Sequence, residues 1–304
     1  MPKRTRIFCA GLIGWDTIGH TRYSLKPGAD LPGLIITKLG GVIANIAVAI
    51  TDMTRDTAEL EIIMLSCTGD DEKSNSLLSL LSNRDQINCD LVIRSQGSPD
   101  GYVAIESRDG LFCAIASTTK LEKACVKIFK PLLENVTSRN KNGLAHHLII
   151  DSNLTTKTLN FLSFEPFFNN TSIIIACASP FKARKIRSLL IKRTCIIYAN
   201  LEEASEILGK SFSCSSEAAE SLYKLGAKEA IVTNGKYESS SRSINGLASY
   251  LPKQIIASKV TGAGDVFLAA HFVSKTNNIN LSEQEHLEFA SNAATKKLLN
   301  EVEQ

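Results

Sequence analysis

No apolar run in the 304 residues reaches the length of a membrane span, so spanning helices are excluded. Aromatic residues are few, 6% of the chain with a single Trp, and no basic stripe is interleaved with them. With a net charge of only +3, this argues against a nucleic-acid partner. The eight cysteines form no Cys-x-x-Cys pair and no Cys/His cluster of zinc spacing. They are scattered, several (Cys9, Cys177, Cys195) in apolar strand-like stretches, and are expected to be reduced core thiols of a cytoplasmic protein. No dinucleotide fingerprint follows the first strand-like run, because Gly11-Leu12-Ile13-Gly14 has the wrong spacing. Gly209-Lys210-Ser211 imitates the end of a P-loop, but Ala204 stands where its first glycine belongs. A glycine cap after a helix ending at Leu208 is the better reading. Lys3, Arg4 and Arg6 precede an apolar run at 7–13, loosely as in a signal peptide. That run is short and ends in Gly14-Trp15-Asp16, which fits a buried first strand better. Internal repeats and low-complexity linkers are also lacking.

What the chain does have is enough apolar residue, 44%, to bury a large core. Strand-like runs at 6–13, 60–65, 148–151, 173–176, 195–198 and 230–233 alternate with helical patterns. The helical patterns fall at 42–53, 71–81, 119–133, 156–162, 182–190, 202–208 and 216–225, with two more at 264–275 and 282–298. This rhythm predicts an α/β fold, a mostly parallel doubly wound sheet with helices on both faces. Two stretches break it. Residues 17–37 lack helical period and carry Pro27, Gly28, Pro32 and Gly33. Residues 91–117 read as three strands joined by turns at 97–101 and 108–110. Together they are expected to form a small antiparallel sheet inserted into one domain spanning 1–304. Lys182, Arg184, Lys185 and Arg187 fall at helical spacing and read as a solvated face.

The most informative segment is Lys259-Val260-Thr261-Gly262-Ala263-Gly264-Asp265, followed by an apolar helical run. Glycines at a helix start let backbone N–H groups converge where the helix dipole is positive, which suits a phosphate. Asp265 beside such a nest would repel phosphate, so it makes sense as a base that removes a hydroxyl proton during phosphoryl transfer. An ordinary helix start, with Thr261 or Asp265 as its cap, fits the same residues. Asp16 follows the first strand-like run, where open α/β sheets bind ligands, and its carboxylate could accept from a vicinal diol. Gly40-Gly41 open the next helix with Asn45 one turn in, able to donate and accept to a hydroxyl. Asn200 and Glu203 follow the strand-like run at 195–198. They could hold Mg²⁺ through water, or form a capping box, or both. Thr233-Asn234-Gly235 ends the run at 230–233, and Asn292 lies in the last helix beside Ala293 and Ala294.

In this order, these segments resemble the ribokinase-like family of carbohydrate and nucleoside kinases over nearly the whole chain. The resemblance implies that Gly262, Ala263 and Gly264 form the anion hole and that Asp265 is the catalytic base. It implies a sugar site at Asp16, Gly40, Gly41 and Asn45. ATP and Mg²⁺ would be served by Asn200, Glu203, Thr233, Gly235 and Asn292, with Glu203 on the metal through water. The small sheet becomes a lid over a small-molecule substrate and a homodimer contact. Within the family, the segments 27–33, 41–47, 151–154 and 179–184 are most similar to pseudouridine kinases. That branch implies transfer to the 5′-hydroxyl of pseudouridine, with ribokinase, fructokinase or adenosine kinase chemistry, or an inactive nucleoside-binding relative, as alternatives. Most of the family carries Asp where this chain has Lys259, so the monovalent cation usual behind the anion hole is doubtful here.

Overall fold

The computed structural model describes residues 5–55, 60–138, 147–254, 262–278 and 280–302. Its strands are β1 (Thr5–Ala10), β2 (Gly14–His20), β3 (Leu34–Gly40), β4 (Leu60–Leu65), β5 (Cys67–Thr68), β6 (Ile87–Asn88), β7 (Ile93–Arg94), β8 (Gly101–Ser107), β9 (Gly110–Ser117), β10 (His147–Asp151), β11 (Ser172–Ala176), β12 (Cys195–Asn200), β13 (Glu229–Asn234), β14 (Tyr237–Ser243) and β15 (Gly246–Tyr250). Nine of them form one sheet in the order β15-β14-β13-β12-β11-β10-β1-β4-β6. From β13 to β6 every pairing is parallel, and β14 and β15 add an antiparallel edge.

The helices are α1 (Val42–Met53), α2 (Glu72–Ser82), α3 (Thr119–Ala124), α4 (Lys130–Ser138), α5 (Thr156–Phe164), α6 (Pro180–Ala183), α7 (Arg187–Lys192), α8 (Leu201–Leu208), α9 (Ser215–Leu225), α10 (Ala263–Asn277) and α11 (Glu283–Val302). Successive strand residues point to opposite faces, so each strand feeds two cores. Ile7, Cys9, Ile62, Met64 and Ile149 pack under α1, α2, α10 and α11. Phe8, Ala10, Ile63, Leu65 and Leu148 pack under the helices between α3 and α9. Burial on both faces is why the central strands read as continuous apolar runs.

A separate four-stranded sheet has the order β3-β2-β8-β9. Its register puts Lys38, Asp16, Tyr102 and Ala116 in one row, and Thr37, Thr17, Val103 and Ile115 in the next row on the opposite face. Along that opposite face Ile35, Val103, Ile105 and Ile115 stand exposed.

Several expectations change. The first strand ends at Ala10, and Asp16 lies on β2 of the small sheet rather than at the tip of β1. Gly14 permits this change of sheet, since a Cβ there would lie 2.3 Å from the Asp100 carbonyl oxygen. Of the stretch 91–117, only β8 and β9 join the small sheet; β7 pairs with β5 in a two-stranded sheet of its own. The helix expected at 119–133 is broken at Cys125, which has φ 52°, and resumes after a 3₁₀ turn. The helix expected at 182–190 is likewise split into α6, a 3₁₀ turn at Arg184–Ile186 and α7. The hairpin β14–β15 was not anticipated, because a serine-rich run has weak strand propensity. Gly209 caps α8 in the left-handed region, as expected. All eight cysteines are free, also as expected. Among the described residues no helix is long and apolar enough to cross a membrane.

Candidate active site

A cavity of about 480 Å³ opens at the carboxyl ends of the parallel strands. Its floor is made by Ala176, Tyr198, Asn200 and Thr233 at the tips of β11, β12 and β13. Its roof is Asp16, Tyr102, Ala114 and Ala116 from the small sheet. Two helix N-termini enter it, each capped by a glycine without a side-chain cap: α1 behind Gly41 (φ 94°) and α10 behind Gly262 (φ 82°). Uncapped first-turn N–H groups with the positive end of a helix dipole form a site for anionic oxygen.

The backbone around α1 is tightly specified. A Cβ on Gly41 would lie 2.2 Å from the Leu12 carbonyl oxygen, and its positive φ also favours glycine. A Cβ on Gly40 would lie 1.9 Å from Asp16 Oδ1. Gly40 therefore makes room for Asp16. Leu12 N–H donates to Asp151 Oδ2 (2.9 Å), which holds the loop after β1 to the tip of β10.

Asp265 sits in the first turn of α10 and accepts a 2.8 Å hydrogen bond from Asn45 Nδ2 on α1. Burial lifts its carboxyl from 3.8 to about 7; the Asn45 bond opposes the rise, and the charges of Asp151, Asp16 and Glu203 reinforce it. Burial raises Asp16 to about 6, tempered by Lys38. Glu203 is raised to about 7, again by burial, against the pull of the Asn200 backbone N–H. Three carboxylates thus share a space where none ionises freely. A base near 7 is matched to proton abstraction at neutral pH.

Asn200 and Glu203 form a full capping box on α8: Glu203 N–H donates to Asn200 Oδ1 (2.8 Å), and Asn200 N–H to Glu203 Oε2 (2.9 Å). Both residues also line the cavity. Among the described residues, the only acid/His group whose ligand atoms converge is Glu229, His271 and Glu283. There Lys275 Nζ bridges Glu229 (2.5 Å) and Glu283 (2.8 Å), and His271 is bonded to Tyr198 and Glu283. An ammonium occupies the centre, so this is an ion-pair network tying α10 to β12 and β13. The cavity's donors are hard oxygens but do not converge. That fits a Mg²⁺ held through its own water and by nucleotide phosphates rather than by a cage of protein ligands.

Of the expected site residues, Asp16, Gly41, Asn45, Asn200, Glu203, Thr233, Gly262, Gly264 and Asp265 meet in this cavity. Gly235 lies in the exposed β13–β14 turn and Asn292 on the exposed side of α11, and neither lines it. Ala263 and Gly40 flank lining residues. Lys259, Val260 and Thr261 lie outside the described residues. One reading needs correction. Lys182 is no solvated lysine: it lines the cavity and donates to Asn153 Oδ1 at 2.6 Å. Cys177 packs against the core, as expected, and also lines the cavity. Lys182, Asn153 and Tyr102 were not singled out as site residues. For Lys182 a signal existed: it lies in the helix that follows β11, near the strand edge where such sheets bind ligands.

Residues 5–301 match the model of the pfkB family carbohydrate kinase. The chain belongs to the pfkB family of carbohydrate kinases. No curated protein matches it by sequence. Solved structures place the fold independently. Ribokinase from Giardia lamblia superposes with a TM-score of 0.78 at 18% identity, over 97% of this chain and 94% of that one. Ribokinase from Arabidopsis thaliana, solved with ribose and ATP, gives 0.73 at 20% identity, over 98% and 93%. A carbohydrate kinase from Agrobacterium tumefaciens gives 0.72 at 22% identity, over 96% and 90%. The fold of this kinase is therefore ribokinase-like, and its class is phosphotransfer to an alcohol.

Proposed function

We propose that this kinase transfers the γ-phosphoryl group of ATP to the primary hydroxyl of a ribosyl nucleoside, pseudouridine, forming the 5′-phosphate. The observation that carries the reaction is the Asn45–Asp265 bond at the mouth of an uncapped helix. Asn45 aims the carboxylate and leaves Oδ1 of Asp265 free to take the hydroxyl proton. The N–H groups of Gly262, Ala263 and Gly264 stabilise the charge on the phosphoryl oxygens. Asp16 accepts from the ribose diol, while Thr233 and the first turn of α8 flank the nucleotide phosphates. Mg²⁺ would supply neutralisation of the phosphate charge, with Glu203 holding one of its waters. Closing the small sheet as a lid excludes water from the reacting groups.

Two features favour a nucleoside over a bare sugar. Ala114 and Ala116 are small where the roof passes over the cavity, leaving room beside Tyr102 for a base. The segments most similar to pseudouridine kinases, 151–154 and 179–184, contribute Asn153, Ser179 and Lys182 to the cavity. A screen of pseudouridine, uridine, adenosine, ribose and fructose as acceptors tests the reading. Highest kcat/KM with pseudouridine supports it; a free sugar as best acceptor refutes the nucleoside assignment.

The exposed apolar face of the small sheet, with Ile35 at 75% and Ile115 at 76% exposure, fits a second copy of the chain. Sedimentation should show a dimer that Ile115→Lys dissociates.

A further inference from the structure

Lys182 lines the cavity. Among the described residues lining the cavity it is the only cation, and it shares that lining with Asp16, Glu203 and Asp265. Its placement is specific. Ser179 precedes α6, Pro180 occupies the helix's first position, and Lys182 comes two residues later. Pro180 fixes the backbone at the start of α6, the helix that follows β11, and Lys182 lines the cavity from there. Its Nζ donates to Asn153 Oδ1 at 2.6 Å. Asn153, 2% exposed, is held by the turn after β10, where its N–H donates to Asp151 Oδ1 (2.8 Å).

This is a poor arrangement for a lysine whose purpose is to neutralise Asp151. That carboxylate takes its hydrogen bonds from the N–H groups of Leu12 and Asn153, whereas Lys182 bonds a neutral amide. An ammonium has three donors. One goes to Asn153, and the other two meet no partner among the described residues. Burial lowers the pKa of Lys182, while Asp151, Glu122 and Asp100 favour its charged form. A half-buried ammonium held by one neutral acceptor, in a cavity that two uncapped helix N-termini also enter, is built to receive a further anion.

We infer that Lys182 is a catalytic residue whose ammonium donates to the phosphoryl group in transfer. This rests on the phosphotransfer reading of the cavity. In the step, the acceptor oxygen bonds to the γ-phosphorus and its proton goes to Asp265. The bond from the γ-phosphorus to the bridging oxygen breaks, and that oxygen leaves with the electron pair as part of ADP. Lys182 stays protonated throughout. It stabilises charge that the N–H groups of α10 do not reach alone, and Asn153 keeps it from folding back onto Asp265.

The test compares wild type with Lys182→Met, Lys182→Gln and Lys182→Arg. Wild type is first assayed with the acceptor panel; no turnover with any acceptor refutes the phosphotransfer reading itself, and this inference with it. With an active wild type, Met and Gln should each lower kcat about 10²–10³-fold, the usual loss for one charge-stabilising donor. KM for the acceptor should stay within about threefold, and Arg should recover at least part of the loss. Calorimetry gives a readout apart from turnover: affinity for MgADP with fluoroaluminate should fall about as far as kcat, while affinity for MgADP alone stays near wild type. Gln keeps a hydrogen bond to Asn153 without the charge, so it also covers the case in which Met fails to fold. Wild-type kcat in Lys182→Gln, or an equal loss of affinity for MgADP with and without fluoroaluminate, overturns the inference.

Discussion

Replacing Asp265 by Asn should make the protein more stable and nearly inactive, by an amount that depends on pH. The folded state lifts this carboxyl from 3.8 to about 7, chiefly through burial. A raised acid pKa means that the fold opposes the charged form. The penalty is absent below 3.8, grows as pH rises through that window, and is complete above about 7. Taken at face value, the shift corresponds to about 4 kcal/mol. The carboxylate opens onto a solvent-accessible cavity, and the amide must still pair with Asn45, so the net gain at pH 8 should be about 1–2 kcal/mol. Urea denaturation of the nucleotide-free proteins at pH 5 and pH 8 measures it. The advantage of Asp265→Asn should be clearly larger at pH 8. Turnover should fall about 10²–10⁴-fold, because the amide keeps the shape and cannot take a proton. Acceptor and nucleotide affinities should change little. Wild-type kcat should itself rise with pH and level off above about 7. A stability gain independent of pH would refute the argument that the fold opposes this charge. Undiminished turnover would refute Asp265 as the base.

Asp16→Ala should weaken acceptor binding by about 1.5–3 kcal/mol, the range for a charged hydrogen bond, with ATP affinity unchanged; equal losses for both ligands in calorimetry would point to misfolding instead. Gly40→Ala should copy that phenotype with Asp16 still present, because the added Cβ would lie 1.9 Å from Asp16 Oδ1 and push the side chain aside; an unchanged acceptor KM would show that Asp16 does not hold the substrate. Lys259, in place of the family's Asp, should leave activity nearly flat when K⁺ is exchanged for a bulky organic cation at constant ionic strength. A large saturable rise with K⁺ would show a cation site made without that side chain.

Much of the architecture was legible because it rests on short-range signals. The strand run at 60–65 and the helix at 42–53 appear with the bounds their periodicity predicted. Alternating apolar runs and helical faces require a sheet covered on both sides. The glycine turn before Asp265 announced a helix start, and Asn200-Leu201-Glu202-Glu203 announced its capping box. Illegible elements were those whose cause lies far along the chain. The hairpin β14–β15 forms from serines because β13 offers an open edge. Asp16 moved onto β2 because Gly14 lets the backbone approach Asp100, 86 positions later in the numbering, and change sheets.

The sequence by itself determined the two-sided parallel sheet, the family, and the residue types that serve a phosphoryl transfer. These follow from patterns a few residues long, where propensity, capping and periodicity act. The tertiary structure alone decided that Asn45 holds Asp265 across 220 positions, that Lys182 turns inward to Asn153, and that three carboxyls share one cavity. Those facts depend on which distant groups come within a few ångströms of one another. Hydrogen bonds and desolvation are set by that proximity in space, which no local pattern encodes.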